Sequence, residues 1–141
     1  MTTPFYSASC KAGSGVQPRA NLGICSVSGT YAIDATLLTA DVIHMVKIPA
    51  GATVLDVILD AGDMDSATSL TLSVGYTGAL NAFIDGSTIG RAGGIERLSV
   101  VGGTQHKFDA DDTIQVSAKA GAGGADTSGT INLTVLYTMD P

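Results

Sequence analysis

The chain has 141 residues, of which 45% are hydrophobic and 14% are charged, and its formal net charge is −6. This length predicts one domain with a single core, and so large an apolar content excludes a solvated disordered chain. Seven basic residues against thirteen acidic ones exclude a non-specific nucleic-acid binder, which needs Lys and Arg to displace counterions. The low charge leaves little polar surface for a monomer and therefore favours burial against partner molecules.

Residues 1–20 carry Gly, Ser, Pro and Gln without hydrophobic periodicity, and we predict an extended N-terminal arm there, followed by one domain over residues 21–141. Lys11 and Arg19 are the basic members of the arm, which either docks on a partner or frays. The first residues lack the basic and apolar stretches of a secretory signal. No apolar run reaches the ~20 residues that a membrane helix needs. We therefore expect synthesis in a cytoplasm and no membrane partner.

The first two predicted strands cover residues 22–33 and 41–48. Gly29 interrupts the alternation of the first strand and indicates a bulge or a close backbone approach. The second strand is apolar on both faces, although a strand of a single sandwich normally has one face in water. The additional apolar face, which includes Ile43 and Met45, predicts a contact with another subunit. A covering loop of the same chain is the alternative.

The segment Pro49-Ala50-Gly51 predicts a chain reversal between the second strand and a third one at 52–60. Proline fixes φ near −65° and has no N–H to donate, while glycine permits a positive φ. The third strand alternates between an apolar and an acidic face, formed by Leu55, Val57 and Leu59 and by Asp56 and Asp60.

The rest of the chain continues the β pattern up to its C-terminus. The predicted elements are a strand at 69–76, a loop at 77–94 with a short helix within 79–84, strands at 95–101 and 104–108 joined by a Gly102-Gly103 hairpin, a strand at 113–119 and a last strand at 131–137. About eight strands without a long helix predict an all-β fold, an antiparallel β-sandwich of jelly-roll type. An immunoglobulin-like sandwich is the second choice, weakened by the absence of Trp and of a suitable cysteine pair.

No pattern in the chain predicts catalysis, a cofactor or a metal. His44 and His106 lie in different strands and do not form the cluster of about three histidines that a cupin-type metal site needs, and we interpret His44 as an interface or edge residue. Cys10 and Cys25 lack metal-type spacing, and two free thiols are favoured over a single bridge. We find neither a nucleophile elbow nor a phosphate loop. We therefore expect no enzyme.

Acidic side chains are the richest polar feature of the sequence. They concentrate in two regions, formed by Asp56, Asp60, Asp63 and Asp65 and by Asp109, Asp111 and Asp112. Because the twelve-residue Ca²⁺ loop pattern is absent, we interpret the loop members as solvated turn aspartates rather than ion ligands. Arg91 and Arg97 flank a glycine-rich segment, and they are either solvated or paired with acidic loops of a neighbouring subunit.

The glycine- and serine-rich arm, the small acidic β-sandwich and the segment Ile48-Pro49-Ala50-Gly51-Ala52-Thr53-Val54-Leu55-Asp56-Val57 together resemble the capsid decoration, or cement, proteins of tailed bacteriophages. The resemblance covers residues 22–139 in general pattern and is most specific at 48–60. It implies a virion protein, made in the host cytoplasm, that binds the outer capsid surface where subunits of the major capsid protein meet and stabilises the shell. It also implies a homotrimer and no catalysis.

The sequence pattern and the resemblance together identify a small set of candidate interface residues: Arg19, Ile43, Met45, Arg91 and Arg97. Two other functions stay open at this stage. One is another virion component, such as a head-fibre or neck protein. The other is a carbohydrate-binding β-sandwich module, in which exposed tyrosines such as Tyr6, Tyr76 or Tyr137 supply a platform for a sugar.

Overall fold

The computed structural model describes residues 5–6, 23–124 and 126–139. Strands dominate these ranges, and no α-helix occurs in them. The elements are β1 (Phe5–Tyr6), β2 (Ile24–Ala32), β3 (Val42–Ile48), β4 (Ala52–Ala61), β5 (Thr71–Tyr76), β6 (Ala79–Ser87), a 3₁₀ helix (Ile89–Arg91), β7 (Gly94–Arg97), β8 (Asp112–Ala120) and β9 (Thr130–Met139).

The strands form two sheets that pack face to face. One sheet has the order β1-β3-β8-β5-β6 and the other the order β2-β9-β4-β7. All neighbouring strands are antiparallel except β1 and β3, which are parallel. The pairing is nested from outside inward: β2 pairs with β9, β3 with β8, β4 with β7 and β5 with β6. The prediction of an all-β antiparallel sandwich is therefore confirmed.

One hydrophobic core fills the space between the sheets. Alternating residues of each long strand point into it, which is the consequence of the two-residue period of a strand. Its largest fully buried side chains include Phe83, Ile48, Leu59, Leu72, Ile114 and Leu133. Burying a side chain of this size contributes about 1.5–3 kcal/mol, so this core stabilises the packing of the two sheets.

A β-bulge in β3 explains why its sequence is apolar on both faces. The register with β8 shifts between His44 and Val46, so that Met45 is an extra residue opposite a continuous partner strand. Because of the extra residue, the side chains that point into the core are at odd positions before the bulge, such as Ile43, and at even positions after it, such as Val46. Ile43 is 1% exposed and Met45 0%, both within the core of their own chain. The subunit contact predicted through Ile43 and Met45 is therefore wrong.

The segment Pro49-Ala50-Gly51 does not close a hairpin. It carries the chain from β3 in one sheet to β4 in the other, and so crosses the sandwich at its end. Gly51 has φ +87°, and its N–H donates to the carbonyl of Phe108 at 2.7 Å. The N–H of Ala50 donates to the Asp111 carboxylate at 2.8 Å. These bonds attach the crossing to the loop that precedes β8.

A second bulge changes the faces predicted for the third strand. The register of β4 with β9 shifts between Val54 and Asp56, so Leu55 is the extra residue and is only half-buried. Val57 and Leu59 point into the core as predicted, but Val54 rather than Leu55 precedes them there. Gly29, by contrast, causes no bulge, because β2 pairs with β9 in continuous register.

The middle of the chain departs most from the sequence prediction. The predicted loop with a short helix at 79–84 is instead strand β6, joined to β5 by a tight turn in which Gly78 has φ +89°. The predicted hairpin at 95–108 is also wrong, because β7 ends at Arg97. The N–H groups of Ser99 and Val100 donate to the carbonyl of Phe83, which draws this segment towards β6.

Candidate interaction surfaces

The five-stranded sheet has a concave outer surface because the start of β6 folds over β5. At Gly75 a Cβ atom would overlap the carbonyl oxygen of Ala79 and lie 2.5 Å from the carbonyl carbon of Leu80. Only glycine permits this approach. A glycine inside a strand pattern indicates such an approach, and this is the signal by which the sequence could have revealed the feature.

A groove of about 610 Å³ lies between this crossing segment and β3. Its walls combine aliphatic residues with neutral polar ones, and the lining residues are Val42, His44, Thr77, Gly78, Ala79, Leu80, Asn81 and Gln115. A second depression of about 280 Å³ continues from it past Asn81 to the ion pair of Lys119 and Asp85 at 2.8 Å. The groove therefore offers apolar contact and hydrogen bonding but little charge.

A hydrogen-bond network covers the floor of the groove. The Nε2 group of Gln115 donates to the hydroxyls of Thr77 and Thr113, each at 3.0 Å. Thr77 in turn donates to the Asp112 carboxylate at 2.7 Å. His44 Nδ1 lies 2.7 Å from the Thr113 hydroxyl, and burial lowers the pKa of His44 while Asp112 acts in the opposite direction. The network orients His44, which is half-buried and pairs with Tyr6 of β1, so it does not lie at an edge of the sheet.

The short strand β1 lies against the edge of β3, next to the groove. Phe5 pairs with Ile43 and Tyr6 with His44. The rings of Tyr6 and His44 stack with centroids 4.7 Å apart, and Phe5 contacts Tyr31 at 5.8 Å. These two residues are the described part of the predicted arm. The other predictions that fall on the arm, Arg19 and Cys10 among them, lie outside the described residues.

The tyrosines do not form an open sugar platform. Tyr137 is 3% exposed and belongs to the core, so it cannot serve as such a platform. Tyr76 is half-buried, and its ring stacks on His106 at 4.3 Å. Tyr6 is exposed, but one of its faces is covered by His44. The carbohydrate-binding alternative loses its main support.

The two arginines of the folded domain have different environments. Arg91 is half-buried, and its Nε donates to the carbonyl of Leu70 at 3.0 Å. Arg97 forms an ion pair with Asp56 of the neighbouring strand, yet its side chain is 70% exposed. The Asp56 side chain is only 14% exposed, so the ion pair is buried on the aspartate side and solvent-exposed on the arginine side.

One aspartate of the acidic region is not a solvated turn residue. Asp65 is 2% exposed, and its carboxylate accepts hydrogen bonds from the backbone N–H groups of Ala67, Ser69, Leu70, Gly123 and Gly124, at 2.8–3.0 Å. Burial alone would raise the pKa of Asp65, but these amides lower it to about 2. Asp65 thus joins the loop before β5 to the loop after β8.

The predicted turn aspartates Asp63, Asp109 and Asp111 are exposed, and Asp111 also accepts a hydrogen bond from the N–H of Ala50. Asp112 is half-buried and accepts a hydrogen bond from the Thr77 hydroxyl, so its prediction as a solvated turn residue is wrong. Over residues 5–6, 23–124 and 126–139, no group of three or more His, Cys, Asp or Glu side chains could hold a metal ion. Cys25 is a buried free thiol. No helix in the same ranges is long and apolar enough to cross a membrane.

No protein-family model matches this chain, and no curated protein does. Solved structures that contain chains with a similar fold include three phage capsids. A chain in the capsid of Ralstonia phage GP4 has a TM-score of 0.81 and 21% identity, over 99% of this chain and 99% of its own. A chain in the capsid asymmetric unit of cyanophage Pam1 has a TM-score of 0.75 and 25% identity, over 94% and 99%. A chain in the acid-stable capsid of Helicobacter pylori bacteriophage KHP30 has a TM-score of 0.55 and 20% identity, over 83% and 94%.

Proposed function

We propose that this protein is a structural component of a phage virion, which binds the outer surface of the capsid and stabilises the shell by bridging subunits of the major capsid protein. The observation that carries the proposal is the similarity in fold, over nearly the whole of both chains, to chains of two phage capsids. In this proposal the protein is made in the host cytoplasm, acts as a decoration protein on the virion surface and catalyses no reaction.

The strand order supports a fold of jelly-roll type. A jelly roll is a double-sheet architecture of eight strands. Strands β2 to β9 pair first with last, second with next to last, and so on to the innermost pair. Successive pairs of this nested arrangement lie alternately in the two sheets. One sheet therefore has the order β2-β9-β4-β7 and the other the order β3-β8-β5-β6, with β1 added at the β3 edge. Such a sandwich presents broad sheet faces to its neighbours.

The state of the polar side chains also supports a structural role. Asp65 binds five backbone amides, Asp56 pairs with Arg97 and Asp85 with Lys119. A catalytic acid or base needs access to a substrate in a cleft and a pKa near the working pH. The pKa of Asp65 lies far below that range, and its carboxylate is buried.

We further propose that three copies assemble on the shell, that the arm of residues 1–20 contacts it, and that the arginines lie at contacts. Arg97 fits this role better than Arg91 does, because its guanidinium is largely exposed. Arg19 is the third of these arginines and belongs to the arm.

The test is co-sedimentation of the purified protein with shells that lack it. We expect saturable binding in many copies per shell and a higher temperature of shell rupture. A charge reversal at Arg97 (Arg97→Glu) should weaken binding, whereas Lys119→Glu is the matched control, because Lys119 is also an exposed partner in an ion pair. Failure of the wild-type protein to bind shells would contradict the proposal.

The number of bound copies also separates this role from its nearest alternative. A neck or head-fibre protein attaches at one vertex or at few positions, whereas a decoration protein covers the shell. Binding of only a few copies, confined to one vertex in electron micrographs of the same samples, would favour the neck or head-fibre role.

A further inference from the structure

The short strand β1 depends on ring contacts for its place beside β3. Phe5 pairs with Ile43 and Tyr6 with His44 in a parallel ladder. The ring of Phe5 contacts Tyr31 at 5.8 Å, and the rings of Tyr6 and His44 stack with centroids 4.7 Å apart and planes 16° apart. Because strand pairing of this length is marginal by itself in water, a change at the stacked ring of His44 affects how firmly β1 is held.

The hydrogen bonds around His44 suit a neutral imidazole. Its Nδ1 lies 2.7 Å from the hydroxyl of Thr113, and this hydroxyl accepts a hydrogen bond from Nε2 of Gln115 at 3.0 Å. A hydroxyl has a single proton to donate. It can donate to Nδ1 when His44 is neutral with its own proton on Nε2. A proton on Nδ1 would deprive the Thr113 hydroxyl of this acceptor.

Two ionised side chains of the described residues lie near His44, and they have opposite charges. Asp112 stands on β8 and accepts a hydrogen bond from Thr77, and Lys47 follows His44 on β3 beyond the bulge. The turn at 77–81 has no ionisable side chain, and β1 contributes the phenol of Tyr6. Burial lowers the pKa of His44 below 6.5, and Asp112 opposes this shift with a smaller effect. Burial therefore decides the charge of His44.

Part of that burial comes from β1 itself. The Tyr6 ring covers one face of the half-buried imidazole. When β1 leaves, this face is exposed to water, which solvates the charged form of His44 better than the neutral form. Attraction between an imidazolium and the Tyr6 ring acts in the opposite sense. It is weak for a ring open to water, and Tyr6 is 41% exposed. Protonation therefore favours the state in which β1 has left.

We infer that His44 is a pH-dependent latch for β1: the neutral imidazole holds the strand against β3, and the protonated imidazole releases it. The pKa of His44 is lower with β1 docked than with β1 released. Docking is therefore strongest above about pH 6.5 and weakens as the pH falls below that value. The inference goes beyond the proposed function, because it concerns the free protein and needs no shell.

NMR spectroscopy of the free, full-length protein between about pH 8 and about pH 5 tests the inference. We expect the nuclear Overhauser contacts between the rings of Tyr6 and His44 to weaken with the same midpoint as the titration of His44. The order parameters of the Phe5 and Tyr6 amides should fall together with them. Contacts that persist while His44 titrates would overturn the inference, and so would the absence of these contacts at pH 8.

Substitutions of Tyr6 measure the same coupling from the other side. Tyr6→Ala should raise the pKa of His44 towards 6.5, because it uncovers one face of the imidazole. Tyr6→Phe keeps the ring and is the matched control, with the titration of the wild type. By linkage, acid should weaken the docking of β1 by the ratio of the acid dissociation constants of His44 in the wild type and in Tyr6→Ala. A pKa in Tyr6→Ala at or below the wild-type value would overturn the inference.

Substitution of His44 removes the latch but keeps a ring for the stack. In His44→Phe, β1 should show the same docking at pH 8 and at pH 5, and release with the wild-type pH dependence would overturn the inference. Circular dichroism shows whether this variant folds, and if it does not, the Tyr6 variants decide the result. His106 stacks on Tyr76 at 4.3 Å and serves as the internal reference, since its titration curve should be identical in the wild type and both Tyr6 variants.

Discussion

The two sheets of this sandwich place their polar residues in opposite environments. In the described part of the chain, every buried polar residue belongs to the five-stranded sheet or to a loop that leads into it; these residues are Asp41, Asp65, Ser73, Ser87, Gln115 and Ser117. The hydroxyls of Ser26, Ser28 and Thr30 on the four-stranded sheet are exposed. Serine side chains are therefore buried in the five-stranded sheet but exposed on the four-stranded sheet.

One local feature contributes to this difference. The start of β6 folds over Gly75 and turns the outer face of the five-stranded sheet into a partly covered surface. Polar groups beneath such a cover must be hydrogen-bonded, since each unpaired one costs roughly 1–3 kcal/mol. Over the described residues the four-stranded sheet shows no such cover, and the side chains of Ser26, Ser28 and Thr30 are exposed on its outer face.

The largest effect is expected at Gly75. Gly75→Ala places a Cβ atom against the backbone of Ala79 and Leu80, which cannot move without displacing β6. We expect a loss of roughly 3 kcal/mol or more in the free energy of unfolding, measured by urea titration. Gly23→Ala is the control, because a Cβ there meets nothing within 4 Å. A Gly75→Ala protein of wild-type stability would show that the cover is not rigid.

The next effect is expected at Asp65. Asp65→Asn places an NH₂ group or a weaker acceptor among five N–H donors and should destabilise the loops at this end of the five-stranded sheet. The folded-state pKa of about 2 lies below the unfolded value of 3.8. The stabilisation from the carboxylate is therefore complete above pH 4 and is lost as the pH falls towards 2.

The test is urea unfolding of the wild type and of Asp65→Asn at several pH values. The difference between their free energies of unfolding should shrink as the pH falls from about 4 to about 2. Asp63→Asn is the control, since Asp63 is exposed and accepts only one longer bond, from the N–H of Asp65 at 3.3 Å. A difference that does not change with pH over this window would contradict the assigned role.

A smaller effect is expected in the network under the groove. Gln115→Leu keeps the approximate size of the side chain but removes the donor to Thr77 and Thr113. We expect a loss of about 1–3 kcal/mol, because the buried side of the network is left incompletely paired. The titration of His44, followed by NMR, should change as well, since Thr113 bonds both residues. An unchanged titration of His44 would show that Gln115 does not affect His44 through Thr113.

The smallest effect is expected on the four-stranded sheet. Thr30→Val removes the exposed hydrogen bond to Asn132 but keeps the β-branched shape that suits a strand. We expect the free energy of unfolding to change by less than about 0.5 kcal/mol. A loss of unfolding free energy as large as that of Gln115→Leu would contradict the view that hydrogen bonds matter more in the five-stranded sheet than on the four-stranded one.

The sequence patterns predicted the strands well where the alternation was regular. The strand at 113–119 corresponds to β8, and the one at 131–137 corresponds to the centre of β9. Prediction failed at β6, because Asp85, Gly86 and Asn81 weaken the strand pattern and the segment bends over its neighbour. It also failed for the interface residues of β3, because one extra residue reverses which side chains face the core.

Local sequence was enough for the fold class, because a two-residue alternation and frequent turn residues are properties of short segments. The charge-free composition of β2 and β9 is equally visible in the sequence. Three features depended on tertiary structure: the bulge at Met45, the cover over Gly75 and the amide cage around Asp65. The bulge and the hydrogen bonds to Asp65 join segments distant along the chain, and no local pattern specifies which backbone atoms meet there. The cover joins Gly75 to Ala79 and Leu80 across a tight turn, and the glycine at position 75 is its only signal in the sequence.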